Sequence, residues 1–172
     1  EYGGTGMDHM THYVINEALN YDCCAIGQMV GISHLACGAI LIGGTDDQKK
    51  RLLGKMTESH KTGCFCLTEP GAGSDAAGVQ TVAVKKGDKY VINGSKCYIT
   101  NGGHADLLTV FASIDKSMGT RGITCFGIPR DTPGIRVGRI EDKMGQRTLN
   151  VVELFFEDVE VGEENRIGEE GQ

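Results

Sequence analysis

The hydrophobic pattern changes period at His60, and that break constrains the fold more than any other feature of the chain. Before it, apolar residues recur at helical spacing. After it, short runs rich in Val, Ile, Thr and Phe alternate with Gly, Asp and Asn. From Met7 to Tyr21, the residues Met10, Val14, Ala18 and Tyr21 form one stripe and leave Asp8, His12, Asn16 and Glu17 on other faces, the mark of an amphipathic helix. Asp22 stands where it would cap a second helix, Cys23 to Ile42, which is apolar on nearly every face and stops at Gly43 and Gly44. A membrane span needs about 20 consecutive apolar residues. Here Gln28, Ser33, His34 and three internal glycines interrupt the run, so the expectation is a helix buried within a helical domain, its glycines admitting a neighbour at close range. Thr45-Asp46-Asp47-Gln48 has capping-box form and starts a third helix that reaches about Glu58 and buries Leu52, Leu53 and Met56.

Strands are expected at 64–67, 79–86, 90–92, 95–99, 107–114, 123–129, 135–140 and 151–156. Gly87-Asp88 and Asn93-Gly94 are expected as tight hairpin turns, since these residue types tolerate positive φ. Segments of this length and spacing imply an antiparallel barrel or sandwich. The fold class is therefore α+β, with helices over residues 1–61 followed by a β-domain over residues 62–172.

Apolar residues make up 40% of the 172 residues and charged residues 23%, as in ordinary globular proteins. The net charge is −6 and no cluster of Lys and Arg marks a face for nucleic acid or an anionic membrane. Seven cysteines, an odd number without a C-x-x-C pair, read as reduced thiols packed in a core. They imply a reducing compartment, either bacterial cytoplasm or mitochondrial matrix. The five histidines lack ligand spacing, so no metal site is expected and His9 and His12 are expected at the surface. The first residues carry neither an initiator Met nor a signal-peptide pattern, and the last five read as a loop leading onward, so the chain reads as cut at both ends.

The run Leu67-Thr68-Glu69-Pro70-Gly71-Ala72-Gly73-Ser74-Asp75 holds the most specific chemistry. Two glycines and a hydroxyl directly after a strand and a turn-forming proline can present backbone amides and Ser74 Oγ to a pyrophosphate. Ala76 stands where a dinucleotide fingerprint needs its third glycine, no parallel βαβ unit surrounds the loop, and no Gly-Lys-Ser/Thr ending follows it. On spacing alone, an ordinary glycine-rich connection remains the simpler alternative. Glu69 and Asp75 are tempting acid–base groups, but they flank a loop that needs caps and turn hydrogen bonds, and a structural role is expected for both.

Several stretches, in order, resemble the acyl-CoA dehydrogenase family: the entry 1–6, the helix start 44–48, the Thr-Glu-Pro-x-x-Gly-Ser-Asp signature within 67–75, the Asn-Gly-x-Lys hairpin ending in Ile99-Thr100-Asn101, and the closing strand with Phe155, Glu157, Asp158 and Val159. The resemblance covers nearly the whole chain. It implies the end of an N-terminal helical domain plus the middle β-domain, without the C-terminal helical domain that carries the family's proton-abstracting glutamate, so no catalytic base is assigned here. It implies FAD as cofactor, acyl-CoA as substrate, an electron-transfer flavoprotein as acceptor and a tetrameric parent protein. Carried over residue by residue, Phe65, Cys66 and Leu67 run beneath the flavin with backbone contacts. Thr68 bonds the pyrimidine side of the ring and Thr100, beside Ile99, bonds near N5. Gly73 and Ser74 bind the pyrophosphate, Ser74 also lying close to the CoA chain. Tyr98 takes the place of a family Trp at the flavin edge, and Gly162 that of a Pro, implying a looser exit from the last strand. Met144-Gly145-Gln146-Arg147 looks like the loop of medium-chain-type members. Oxidases and monooxygenases of the same architecture, and a non-catalytic β-domain module, are the alternatives.

Overall fold

The computed structural model describes residues 2–171; Glu1 and Gln172, which belong to the entry and exit segments read above, lie outside the described residues. Helix α1 (His9–Asp22) is capped by Asp8, whose carboxylate accepts from Thr11 N at 2.7 Å. Helix α2 (Cys24–Gly43) follows after one residue, so Asp22 closes α1 and caps nothing, while the N-cap of α2 is Cys23. The capping box forms as expected, Thr45 Oγ1 accepting from Gln48 N and Gln48 Oε1 from Thr45 N. It opens α3 (Asp46–Gln48), which runs through a π-turn (Lys49–Leu53) into α4 (Gly54–Thr57) and buries Leu52 and Leu53.

Eight strands form one mostly antiparallel sheet: β1 (Gly63–Cys66), β2 (Val82–Lys86), β3 (Lys89–Thr100), β4 (Leu107–Ser113), β5 (Ile123–Pro129), β6 (Ile135–Ile140), β7 (Val151–Gly162) and β8 (Arg166–Ile167). The order is β6-β7-β3-β2-β4-β5-β8, with β1 added in parallel to β4. Tyr90, Ile92, Phe126, Leu154 and Phe156 lie in the buried core between the strands. A second cluster, with Ile40, Leu52, Leu53, Leu107 and Ile167, seats the helices on the sheet.

Further expectations need correction. Asn93-Gly94 is not a hairpin turn: β3 runs unbroken through it, with a bulge against β7 between Ile92 and Gly94. The stripe on α1 points outward, with Met10, Val14 and Tyr21 exposed, while the half-buried residues are His12, Asn16, Leu19 and Asn20. The reason lies on α2, where the missing side chain of Gly27 leaves a notch filled by the Asn20 amide. Helix α2 is long and apolar enough to cross a membrane and buries only Ala25, Gly27, Ala36 and Ile40, but Thr109 on β4 donates to Ala36 O at 2.7 Å and Ser33 Oγ accepts from Gly63 N at 3.2 Å, which builds the helix into the β-domain. Strand β7 holds its register to Gly162, paired with Lys89, so the exit is not loose.

Of the cysteines, Cys64, Cys66, Cys97 and Cys125 are buried, whereas Cys24 is exposed and Cys23 and Cys37 are half-buried. Burial pushes the Cys37 thiol up to about 11 and the Cys125 thiol up to about 12. His9 is exposed, but His12 is half-buried and stacks on His34 with ring centroids 4.0 Å apart. Burial, then the neighbouring His12 and His9, holds His34 below the ordinary imidazole value.

Candidate active site

The site is a gap between two strand edges. One edge of β1 pairs with β4, and its other edge faces the second half of β3. The two edges are joined at their ends. At one end Cys97 N donates to Thr68 O at 3.0 Å and Lys96 Nζ to Leu67 O at 3.0 Å. At the other, Asn101 Nδ2 donates to Gly63 O at 3.2 Å and also to Met29 O on α2 at 3.1 Å. Between these ties, no backbone hydrogen bond joins 64–67 to 98–100 among the described residues. Unpaired strand edge is rarely left inside a domain without a partner of some kind.

Side-chain alternation explains what each residue offers. Cys64 and Cys66 point into the sheet core, their Sγ atoms 3.5 Å apart, so Cys66 presents only backbone to the gap. Phe65 turns the other way and packs on Phe111, ring centroids 4.9 Å apart. Leu67, Thr68 and Thr100 are half-buried, and Ile99 is buried. Tyr98 is 64% exposed with a left-handed φ of 57°, on the irregularity between Lys96 and Ile99 in the β3–β7 pairing. Tyr98 is thus not packed in the strand core.

Beyond Thr68 the chain closes a tight bridge, Glu69 and Ala72 exchanging backbone bonds of 3.0 and 3.1 Å. Gly71, Gly73 and Ser74 are exposed beyond it, and a side chain added at Gly71 or Gly73 would meet open space. A concave surface lies between Leu52, Met56, Leu107 and Pro129. The site is thus an open strip of strand backbone rather than an enclosed cavity.

Glu69 and Lys96 were the residues least legible as a pair. Both are buried, with Lys96 Nζ 2.8 Å from Glu69 Oε1. The carboxylate also accepts from Gln80 N at 2.6 Å and Thr81 N at 3.0 Å. Burial opposes ionisation of Glu69, but the bonds from Lys96, Thr81 and Gln80 outweigh it and hold the carboxyl below its ordinary value. Burial pulls Lys96 below its ordinary value against the attraction of Glu69. The structural role expected for Glu69 is what the geometry supports. A lowered folded-state value means that this carboxylate adds stability above the ordinary value of 4.5, and that the addition is lost as pH falls through the folded value. Glu69→Gln is therefore expected to be less stable than the unsubstituted chain at neutral pH by about 3 kcal/mol. The gap in urea midpoints should close on acidification, and a gap that stays constant with pH would remove the carboxylate from the acid limb.

An FAD group fits these residues. The unpaired backbone of 64–67 and 98–100 offers donors and acceptors to a flat heterocycle, the glycine loop is unobstructed, and Asn101 Oδ1 is buried without a hydrogen-bond partner at the end of the gap. The model of the acyl-CoA dehydrogenase N-terminal domain matches residues 1–60 and that of the middle domain residues 64–159, so the chain belongs to the acyl-CoA dehydrogenase family.

Among its relatives, cyclohex-1-ene-1-carbonyl-CoA dehydrogenase of Syntrophus aciditrophicus is 47% identical over 100% of this chain and 42% of its own length. The short-chain-specific acyl-CoA dehydrogenase of Clostridium acetobutylicum is 42% identical over 100% of this chain and 46% of its own. The chain thus spans under half the length of these relatives. A chain in the structure of the electron transferring flavoprotein of Acidaminococcus fermentans superposes with TM-score 0.96 at 46% identity, covering 99% of this chain and 45% of its own. The prolyl acyl carrier protein oxidase AnaB superposes with TM-score 0.93 at 41% identity over 99% of this chain and 46% of its own. A glutaryl-CoA dehydrogenase from Mycobacterium smegmatis in complex with FADH2 superposes with TM-score 0.88 at 31% identity over 98% and 42%.

Proposed function

We propose that these residues are the N-terminal helical part (1–61) and middle β-domain (62–172) of an FAD-dependent dehydrogenase that converts a short acyl-CoA thioester to its trans-2-enoyl form. The observation that carries this is the strand gap tied at Thr68–Cys97 and Gly63–Asn101 and unpaired between. The backbone of Phe65, Cys66 and Leu67 and the hydroxyl of Thr68 would hold one edge of the flavin, and Tyr98, Ile99 and Thr100 the other. Gly73 and Ser74 would hold the pyrophosphate, Ser74 also meeting the CoA chain. When bound, FAD supplies the hydride acceptor; hydrogen bonds from strand edge and Thr100 favour its charged reduced form. None of these residues is proposed as the base that removes the α-proton.

The name of the Clostridium acetobutylicum relative supports a short acyl group in preference to the medium-chain type implied by Met144–Arg147, while that of the Syntrophus aciditrophicus relative points to a cyclic one. The match to a chain in the Acidaminococcus fermentans structure supports an electron-transferring flavoprotein as acceptor. A homotetramer in a reducing compartment, bacterial cytoplasm or mitochondrial matrix, with a place in fatty-acid β-oxidation, completes the proposal on family resemblance. A second reading, an oxidase passing electrons to oxygen, is favoured by the likeness to AnaB and by the exposure of Tyr98.

The test is anaerobic titration of the whole protein, flavin-loaded, with a panel of acyl-CoA thioesters. Short-chain thioesters are expected to bleach the flavin band, and a band untouched by every thioester would overturn the proposal. Rapid return of the band on admitting air, without a protein acceptor, would select the oxidase. Ser74→Ala is expected to weaken FAD binding about 10- to 150-fold, since a hydrogen bond to a charged group contributes about 1.5–3 kcal/mol. Equilibrium binding of FAD to apoprotein measures this, and an unchanged dissociation constant would remove Ser74 from the pyrophosphate site.

A further inference from the structure

We infer that the buried Lys96–Glu69 pair is the positioning device of the flavin site, fixing the strand end and the phosphate loop relative to Tyr98–Thr100; the inference rests on the function proposed above. Three segments distant in sequence meet at these two charges. Lys96 lies on β3, two residues before Tyr98 and four before Thr100. Its ammonium reaches across the gap to Leu67 O, the last carbonyl before Thr68, and to Glu69 Oε1. Glu69 lies directly after Thr68 and receives the backbone amides of Gln80 and Thr81, where the chain returns from the glycine loop. Both mouths of the loop are therefore held by one carboxylate, which is itself held by a cation on the opposite wall of the gap.

The neighbouring contacts tighten the same point. Cys97 N donates to Thr68 O, and Thr81 Oγ1 donates to Ser95 O at 3.5 Å. Three donors converge on Glu69 and two acceptors on Lys96, so the pair is held in one arrangement and cannot swing as surface ion pairs do. Packing alone would be served as well by two apolar side chains of similar volume. What apolar residues cannot do is grip Leu67 O and the two amides simultaneously, and those backbone groups set the position of Thr68 against Thr100. The Lys96 side chain is fully buried and that of Glu69 nearly so, and neither is offered to a reacting atom, so the role is positional and not catalytic.

The inference is tested in the whole protein by FAD binding and by the shape of the bound flavin's visible spectrum. Lys96→Met alone leaves a buried carboxylate unpaired and can fail to fold, so two further variants are used. The double variant Glu69→Gln/Lys96→Met carries no buried charge, and Glu69→Asp keeps both charges but shortens the reach by one methylene. In whichever folds, verified by circular dichroism, FAD is expected to bind about tenfold more weakly or worse, which corresponds to about 1.4 kcal/mol. The vibronic structure of the flavin band should broaden as the ring loses its fixed surroundings. FAD affinity and spectrum unchanged in both folded variants, with only a lower melting temperature, would reduce the pair to a stabilising contact and overturn the inference. An unsubstituted protein that takes up no FAD would instead overturn the proposed function itself, so the two failures are distinguishable.

Discussion

Lys96→Met is expected to lower the unfolding free energy by about 3–5 kcal/mol, the range for removing one partner of a buried pair. The reason is the carboxylate left behind. Glu69 is 5% exposed, and without Lys96 its charge keeps only the two amides of Gln80 and Thr81. Protonation is the escape available to it, so the variant should recover stability as pH falls, the opposite direction to the parent's carboxylate contribution. For a chain of this size each kcal/mol moves the melting temperature by about 2–4 °C, so the midpoint at neutral pH should drop by about 6–20 °C. The double variant with Glu69→Gln should recover most of that loss. A Lys96→Met protein within 1 kcal/mol of the parent, on the scale of an exposed ion pair, would show that the two charges are effectively hydrated.

Gly94→Ala is expected to cost about 2–4 kcal/mol through backbone strain and overpacking together. Gly94 has φ 154°, a conformation that side chains disfavour, and a Cβ there would lie 2.7 Å from Thr81 Cα. Backbone cannot swing aside as the end of a side chain can. Either the bulge in β3 straightens, disturbing its register with β7, or Thr81 retreats and its amide leaves Glu69. Urea denaturation gives the cost directly. A loss below about 0.5 kcal/mol, typical of a surface change, would mean that the bulge accommodates a methyl group and that glycine is not required there.

Gly94 also shows why part of the fold was legible in the sequence and part was not. An Asn-Gly pair between β-prone runs is the usual sign of a hairpin, and Gly87-Asp88, a few residues earlier, does join β2 to β3. At Asn93-Gly94 the same residue types serve close approach to Thr81, a neighbour distant enough in sequence that no local pattern reports it. The same holds for α1: periodicity showed that it had an apolar stripe, but the buried side was decided by the Gly27 notch on α2 and the amide of Asn20 that fills it. The capping box at Thr45 was legible because its whole chemistry lies within four residues. At the candidate site, the signature loop and Thr100 are proposed on resemblance. Lys96 could not be read, since a lysine among Ser95 and Cys97 reads as a solvent-facing strand position until its partner 27 residues away is known. Asn101, whose amide ties α2 to β1, escaped for the same reason.

Helix α1 buries no side chain fully, whereas β3 is paired along most of its length with β7 and, over its first half, with β2. Local openings of α1 therefore expose little that was not already wet and leave the strand gap undisturbed. In amide hydrogen exchange the chain should behave as two populations: α1 trading its protons through cheap partial opening, and 89–100 only through disruption of the sheet. The frame of the site then persists through fluctuations that melt the first helix, so the energetic boundary within this chain falls inside the helical lobe, between α1 and the part of α2 anchored by Ala36 and Ile40, rather than at the change of sequence pattern near His60.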